Sequence, residues 1–158
     1  MARSNALGEL GEQFVAGWLS GRGWDVRARR WHCRGGELDL VVSRPVADRP
    51  GGVTLAFVEV KTRGRASWDA DGLLAIAPAK QRKLWLAARC FLAEHPHLAD
   101  CTCRFDVALV RAQKLVGAPP ESVSNADSSR DLVRTPSAIR DGYRLTLLDY
   151  LPGAIVLE

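Results

Sequence analysis

The run Thr54-Leu55-Ala56-Phe57-Val58-Glu59-Val60-Lys61 constrains the fold more than any other part of this chain. It is short, apolar and rich in β-branched and aromatic residues, with Gly51-Gly52 before it and Arg63-Gly64 after it. Such a run reads as a buried β-strand. Alternation along a strand puts Leu55, Phe57, Glu59 and Lys61 on one face and Ala56, Val58 and Val60 on the other. A carboxylate and an ammonium at the end of a core strand are costly to bury without partners. Those partners must come from elsewhere in the chain.

A chain of 158 residues suits one domain, spanning 1–158, with a real hydrophobic core. Its hydrophobic content of 47% and charged content of 25% are ordinary for a soluble globular protein. A net charge of +4 and a pI near 9.1 are compatible with a nucleic-acid partner and do not by themselves require one. No apolar run has the length of a membrane span, and the first thirty residues lack a signal-peptide core. The expectation is a cytoplasmic protein away from membranes, with its four cysteines as reduced thiols.

Residues 4–20 carry Leu7, Leu10, Phe14 and Trp18 at helical spacing, with Ser4 or Asn5 as cap. Glu12 falls at the margin of that stripe. A strand at 24–31, a turn at Arg34-Gly35-Gly36 and a second strand at 37–42 follow. In the second strand Leu38, Leu40 and Val42 share one face, and Glu37, Asp39 and Val41 the other. A connection rich in Pro and Gly leads to the third strand, 53–61. The polar stretch 62–72 reads as a loop. Pro78 opens a second helix whose buried stripe is Leu84, Ala87, Ala88, Phe91 and Leu92, with Lys80 one turn ahead. Strands at 104–111 and 143–150 complete the pattern. Residues 117–142, rich in Ser, Asp and Pro without a period, read as a long disordered loop. The fold class expected is α/β, a central mixed sheet, antiparallel in its early hairpins and flanked by helices.

Asp39 and Glu59 lie on neighbouring strands, and two carboxylates on one sheet repel unless a cation sits between them. Mg²⁺ suits such a site, binding through one or two carboxylates plus waters and phosphate oxygens. Lys61, two residues beyond Glu59, projects alongside it, where an amine can orient or deprotonate a water. Glu12 could add a third carboxylate.

These residues carry a resemblance. Asp39 followed by Glu59-Val60-Lys61 is similar to the PD-(D/E)XK nuclease pattern, with Leu38 where a proline usually precedes the aspartate. The wider layout resembles the YraN-like family of that superfamily, over roughly residues 5 to 112. Its marks are Gly11-Glu12, Gly36-Glu37-Leu38-Asp39-Leu40, Phe57 to Arg63, Lys80 and Arg104-Phe105-Asp106. The family is similar in architecture to archaeal Holliday-junction resolvases. The resemblance implies a restriction-endonuclease-like sheet, metal held by Glu12, Asp39 and Glu59, and Lys61 as the catalytic lysine; the Val60 carbonyl is expected to assist the metal. The 117–142 segment is longer than the family usually carries.

Each residue also has a plainer reading. An isolated Glu-x-Lys is ordinarily a surface salt bridge; here Asp39 and Glu12 in register favour a site. Glu37 suits a cap or a bridge to an arginine better than a metal. Lys80 either snorkels to solvent or contacts phosphate beside the site. Arg63 and Arg65 suit phosphate contacts and equally suit solvated loop positions. Asp106 reads as a structural partner of Arg104. His95-Pro96-His97 and Cys101-Thr102-Cys103 are spaced poorly for zinc. The five tryptophans (Trp18, Trp24, Trp31, Trp68, Trp85) read mostly as core, and Trp68, in the polar loop, is the candidate for stacking on an unpaired base.

The function these features favour is a Mg²⁺- or Mn²⁺-dependent endonuclease acting on structured or branched DNA. Catalysis would fall to Asp39, Glu59 and Lys61, and nucleic-acid contacts to Arg63, Arg65 and Lys80. A homodimer would follow if the substrate is a four-way junction. The competing reading is a module of the same fold that binds nucleic acid or protein without turnover.

Overall fold

In a computed structural model, which describes residues 2–64, 76–117 and 135–155, the chain forms one six-stranded mixed sheet with a helix on each face. The elements run α1 (Ala2–Ser20), β1 (Asp25–Cys33), β2 (Gly36–Pro45), β3 (Val53–Arg63), α2 (Pro78–Glu94), a 3-10 turn (Pro96–Leu98), β4 (Thr102–Lys114), β5 (Ser137–Arg140) and β6 (Tyr143–Ile155). The strand order is β1-β2-β3-β4-β6-β5. All neighbours are antiparallel except β3 and β4, which run parallel from Thr54↔Thr102 to Arg63↔Arg111. A parallel pair needs a crossover, and α2 supplies it.

The two faces of β3 behave as their alternation demands. Ala56 and Val58 join Leu10, Phe14, Val15 and Leu19 of α1 in one core layer. Leu55 and Phe57 join Leu84, Ala87 and Phe91 of α2 in the other. Helix α1 approaches β3 closely at Gly11, where a Cβ would overlap the Thr62 hydroxyl and come within 3.0 Å of Thr62 Cβ. A glycine there lets the next residue, Glu12, reach the sheet. On the opposite side the β1–β2 turn is pressed against α2. Gly36, with φ of 150°, would place a Cβ 3.0 Å from the Lys83 carbonyl, and only glycine suits both demands.

Three expectations are corrected. Residues 117–142 are not wholly loop, because Ser137–Arg140 forms an edge strand against β6. Asp141 and Gly142 make its two-residue turn, with φ of 47° and 78°. Two consecutive positive φ values give the primed turn whose twist matches a hairpin. Residues 118–134 lie outside the described residues. Trp85 is not core but 40% exposed on the outer side of α2. Finally, β2 does not alternate as one regular strand: Leu38 packs with Val41 on the α2 side, while Leu40 and Val42 pack on the α1 side. The alternation therefore breaks at Asp39.

Candidate active site

That break builds the site. The β2–β3 ladder runs from Pro45↔Val53 to Leu40↔Val58 and ends there. One residue further, the Asp39 carboxylate replaces the backbone, its Oδ2 accepting a hydrogen bond from Val60 N at 2.9 Å. Strand β1 keeps its register at this level but its backbone is distorted there. Between the pairs Arg29↔Leu40 and Trp31↔Leu38 lies Arg30, facing Asp39 and held at φ of 46°. A left-handed backbone on a non-glycine residue inside a strand is strained. Here it turns the Arg30 side chain toward α1. Its Nη1 lies 3.4 Å from Glu9 Oε2 and its Nε 3.4 Å from Glu12 Oε2.

Asp39 and Glu59 thus meet at the split end of β2 and β3, with Glu12 near enough on α1 to feel the Asp39 charge. Burial, then repulsion from Asp39, raises the Glu59 carboxyl to about 7. Burial and then the Asp39 charge raise Glu12 to about 7 as well, against the pull of Arg30. Asp39 is also raised, chiefly by burial, with the Val60 hydrogen bond opposing. Side chains of Glu59 and Glu12 are only 12% and 14% exposed. With both ionised, neither Asp39 nor Glu59 can donate to the other, and among the described residues Glu59 Oε2 is a buried acceptor without a donor. A proton on Glu59 can be shared with Asp39. Glu12 Oε2 lacks a hydrogen bond too, the Arg30 contact being an ion pair only.

The cations arrive from one side. Lys80, in the first turn of α2, places Nζ 3.6 Å from Glu59 Oε1. It neither snorkels free nor stands apart. Lys61 is half-buried beside Glu59, and burial, followed by the Arg63 charge, lowers its pKa below the usual lysine range. Arg63 is exposed and donates Nη1–H to the Thr62 carbonyl at 2.9 Å. Arg65 and Trp68 lie outside the described residues.

Buried oxygen donors with raised carboxyl pKa values and two unpartnered oxygens suit a hard divalent cation such as Mg²⁺ or Mn²⁺. Among the described residues, no three acidic, histidine or cysteine side chains converge as a ready-made cage. Asp39 and Glu59 are the pair that could share a cation, with Glu12 beside them and tied to Arg30.

The other residues weighed from sequence lie elsewhere. Glu37 pairs with His32 at 3.4 Å rather than with an arginine. His95 donates Nδ1–H to the Phe91 carbonyl at 2.7 Å and stacks on the Phe91 ring. Asp106 is fully buried and paired with Arg104 at 3.0 Å, as its sequence position suggested. Sequence reasoning missed Arg30, whose role depends on a backbone conformation that no pattern marks.

A model of the Uncharacterised protein family UPF0102 matches residues 11–110 of this chain. The chain belongs to that family. The UPF0102 protein of Acaryochloris marina is 44% identical, the match covering 99% of this chain and 93% of the relative. That of Trichodesmium erythraeum is 42% identical over 96% of this chain and 89% of its own length. The Gloeobacter violaceus protein is 54% identical over 70% of this chain and 82% of its own. The matched span includes Gly11, Glu12, Arg30, Asp39, Glu59, Lys61, Lys80 and Asp106. It stops short of β5 and β6.

Proposed function

We propose that this member of the UPF0102 family is a metal-dependent endonuclease of the PD-(D/E)XK kind, hydrolysing phosphodiester bonds of structured or branched DNA in the cytoplasm. One observation carries the reading. The sheet is split at Asp39 and Glu59 so that two carboxyl groups share a buried point, with Glu59 Oε2 left without a donor among the described residues. A purely structural design would avoid such an arrangement, because unpaired buried acceptors and like charges are costly.

Asp39 and Glu59 would hold Mg²⁺ or Mn²⁺, with the Val60 carbonyl and Glu12 assisting. When bound, the cation would supply Lewis-acid polarisation of the scissile phosphate and offset the charge developing on it. The Val60 N–H bond fixes the Asp39 carboxylate in its orientation. Lys61, its proton loosened by burial and by Arg63, positions the attacking water and can take up its proton at Nζ. Lys80 and Arg63 border the site from α2 and from the end of β3, where each can meet a phosphate oxygen. Arg65 would extend that set. Symmetric cleavage of a four-way junction would require a homodimer.

The test is a cleavage assay with linear, flapped and four-way DNA in Mg²⁺ or Mn²⁺. Glu59→Ala and Lys61→Ala should each lose at least roughly 100-fold in rate. Activity surviving both substitutions would sink the mechanism. A second reading, binding without turnover, is favoured by one contact: the Lys80 ammonium already lies against Glu59 where a cation would. Metal-independent DNA binding with no cleavage by the wild type would select it.

A further inference from the structure

Helix α2 buries Leu84, Ala87, Ala88 and Phe91. Its outer side is unusual in both charge and apolarity. From Pro78 to Ala93 it carries Lys80, Arg82, Lys83 and Arg89 and no acid. Trp85 and Leu86 stand 40% and 44% exposed on it. The Arg89 guanidinium lies 4.6 Å from the Trp85 ring centroid, one turn along the helix, which fixes the indole while leaving it open to solvent. The same helix borders the candidate site: Lys80 touches Glu59 at 3.6 Å, and the Lys83 backbone supports Gly36 at the head of β2.

We propose that the outer side of α2 is a docking surface for an unpaired strand of nucleic acid leading away from the site. Trp85 stacks on a base, and Arg82 and Arg89, on the same side of the helix, meet phosphates. The inference takes its ligand class from the nuclease reading above. Arg82 and Arg89 lie seven residues apart on the same side as Trp85, about 10.5 Å of helix, enough to follow roughly three nucleotides at ~3.4 Å each. A base can use an exposed aromatic face without sequence preference, and duplex DNA cannot, since its bases are already stacked. A membrane surface fits less well. Trp85 and Leu86 are adjacent in sequence and so point about 100° apart, which does not make the continuous apolar face that insertion needs. The helix then selects substrates with a single-stranded arm.

The test is equilibrium binding of a fluorescein-labelled 12-nucleotide DNA strand, and of the same strand in a duplex, by anisotropy in EDTA so that nothing is cleaved. Trp85→Ala should weaken single-strand binding roughly 5- to 100-fold and duplex binding by less than about twofold. Arg89→Gln should reduce the slope of log affinity against log salt by about 0.7 on the single strand. Both positions are exposed, and unchanged thermal melting of the variants verifies that they fold. Equal loss on duplex and single strand, no loss on either, or no single-strand binding by the wild type would overturn the proposal. So would Trp85-dependent sedimentation with phosphatidylserine vesicles while DNA binding is unchanged. The two readings fail separately. A protein that binds through Trp85 and cleaves nothing removes the hydrolase and keeps the surface; one that cleaves, with Trp85→Ala binding normally, does the reverse.

Discussion

Asp106 and Glu59 lie on neighbouring strands of one sheet, Asp106 beside Val58 and Glu59 beside Val107, yet their surroundings are opposite. Asp106 has no exposed surface and is fully engaged. Its Oδ1 accepts from Gly153 N at 2.9 Å, its Oδ2 from the Tyr150 hydroxyl at 2.5 Å, and Arg104 Nε lies 3.0 Å away. The Arg104 guanidinium in turn lies over the Trp24 ring, 5.0 Å from its centroid. Glu59 is nearly as buried and, among the described residues, has a single ion-pair partner at 3.6 Å, an unpartnered oxygen and a second carboxyl beside it. Burial alone therefore does not identify a functional acid. What separates the two is whether the fold has supplied every donor that the charge needs. Asp106 ties β6 to β4; Glu59 has no such set of donors among the described residues.

Removing one acid of each kind tests that contrast. Asp106→Ala strips a buried ion pair and leaves Arg104 and Tyr150 without their acceptor. It should cost about 3–5 kcal/mol in urea unfolding. Glu59→Gln removes a repulsive charge from a site that lacks donors, so the cation-free variant should unfold no more easily than the wild type at pH 8. A Glu59→Gln loss as large as that of Asp106→Ala would break the comparison.

The next effect depends on pH. The folded values near 7 for Glu59 and Glu12 lie above the 4.5 of an unfolded glutamate. Below about pH 4.5 both states hold these protons, and the contribution is fully present. As pH rises from there to about 7 the unfolded chain releases them first, so this share of stability is lost, and it stays lost above 7. A cation that needs the ionised carboxyls acts in the opposite sense. Mn²⁺ at a hundred times its Kd should stabilise the protein by about 2.7 kcal/mol at pH 8 and by far less at pH 5. Melting curves with and without Mn²⁺ at the two pH values measure this. Equal stabilisation at both would show that the carboxyls are not the ligands.

Much of this contrast is legible in sequence, and the reasons for the rest are local. The β3 alternation, the helix stripes and the Asp39/Glu59/Lys61 spacing follow from periodicity, because hydrophobic burial imposes it. Asp106 next to Arg104 is likewise readable as a pair. The split of β2 at Asp39 is not, since alternation assumes an unbroken ladder and a carboxylate accepting a backbone N–H leaves no mark in composition. Strand β5 had a mark in Asp141-Gly142, a hairpin dipeptide. It was masked by the polar stretch before it. Trp85 had one too: it falls about 100° around the helix from Leu84, so its place outside the core follows from the stripe already drawn.

Gly11 sharpens the comparison from the α1 side. Gly11→Ala would drive a methyl into the Thr62 hydroxyl and cost about 1–3 kcal/mol, the range for overpacking. Removing that hydroxyl with Thr62→Ala should recover part of the loss, so the two changes should be non-additive. If α1 sets the place of Glu12, Gly11→Ala should also weaken Mn²⁺ binding measured by calorimetry, whereas Asp106→Ala, where folded, should not.

The smallest expected effect is at Arg30. Arg30→Gly relieves a left-handed backbone, which favours the variant by about 1 kcal/mol, but gives up two ion pairs to Glu9 and Glu12, of which the Glu9 pair is half-exposed and worth little. The two changes should nearly cancel, leaving unfolding within about 1 kcal/mol of wild type. Cation binding should not cancel. Freed of Arg30, Glu12 loses the charge that lowers its pKa and the ion pair at 3.4 Å that ties it to β1. Mn²⁺ affinity at pH 8 should rise if Glu12 then turns toward the pair as a third ligand, and should fall if Arg30 is what holds Glu12 in place for it. Arg30→Lys keeps the charge and the strain, and should bind as wild type in either case. An unchanged affinity in Arg30→Gly would mean that Glu12 belongs with Asp106, as an acid serving only the fold.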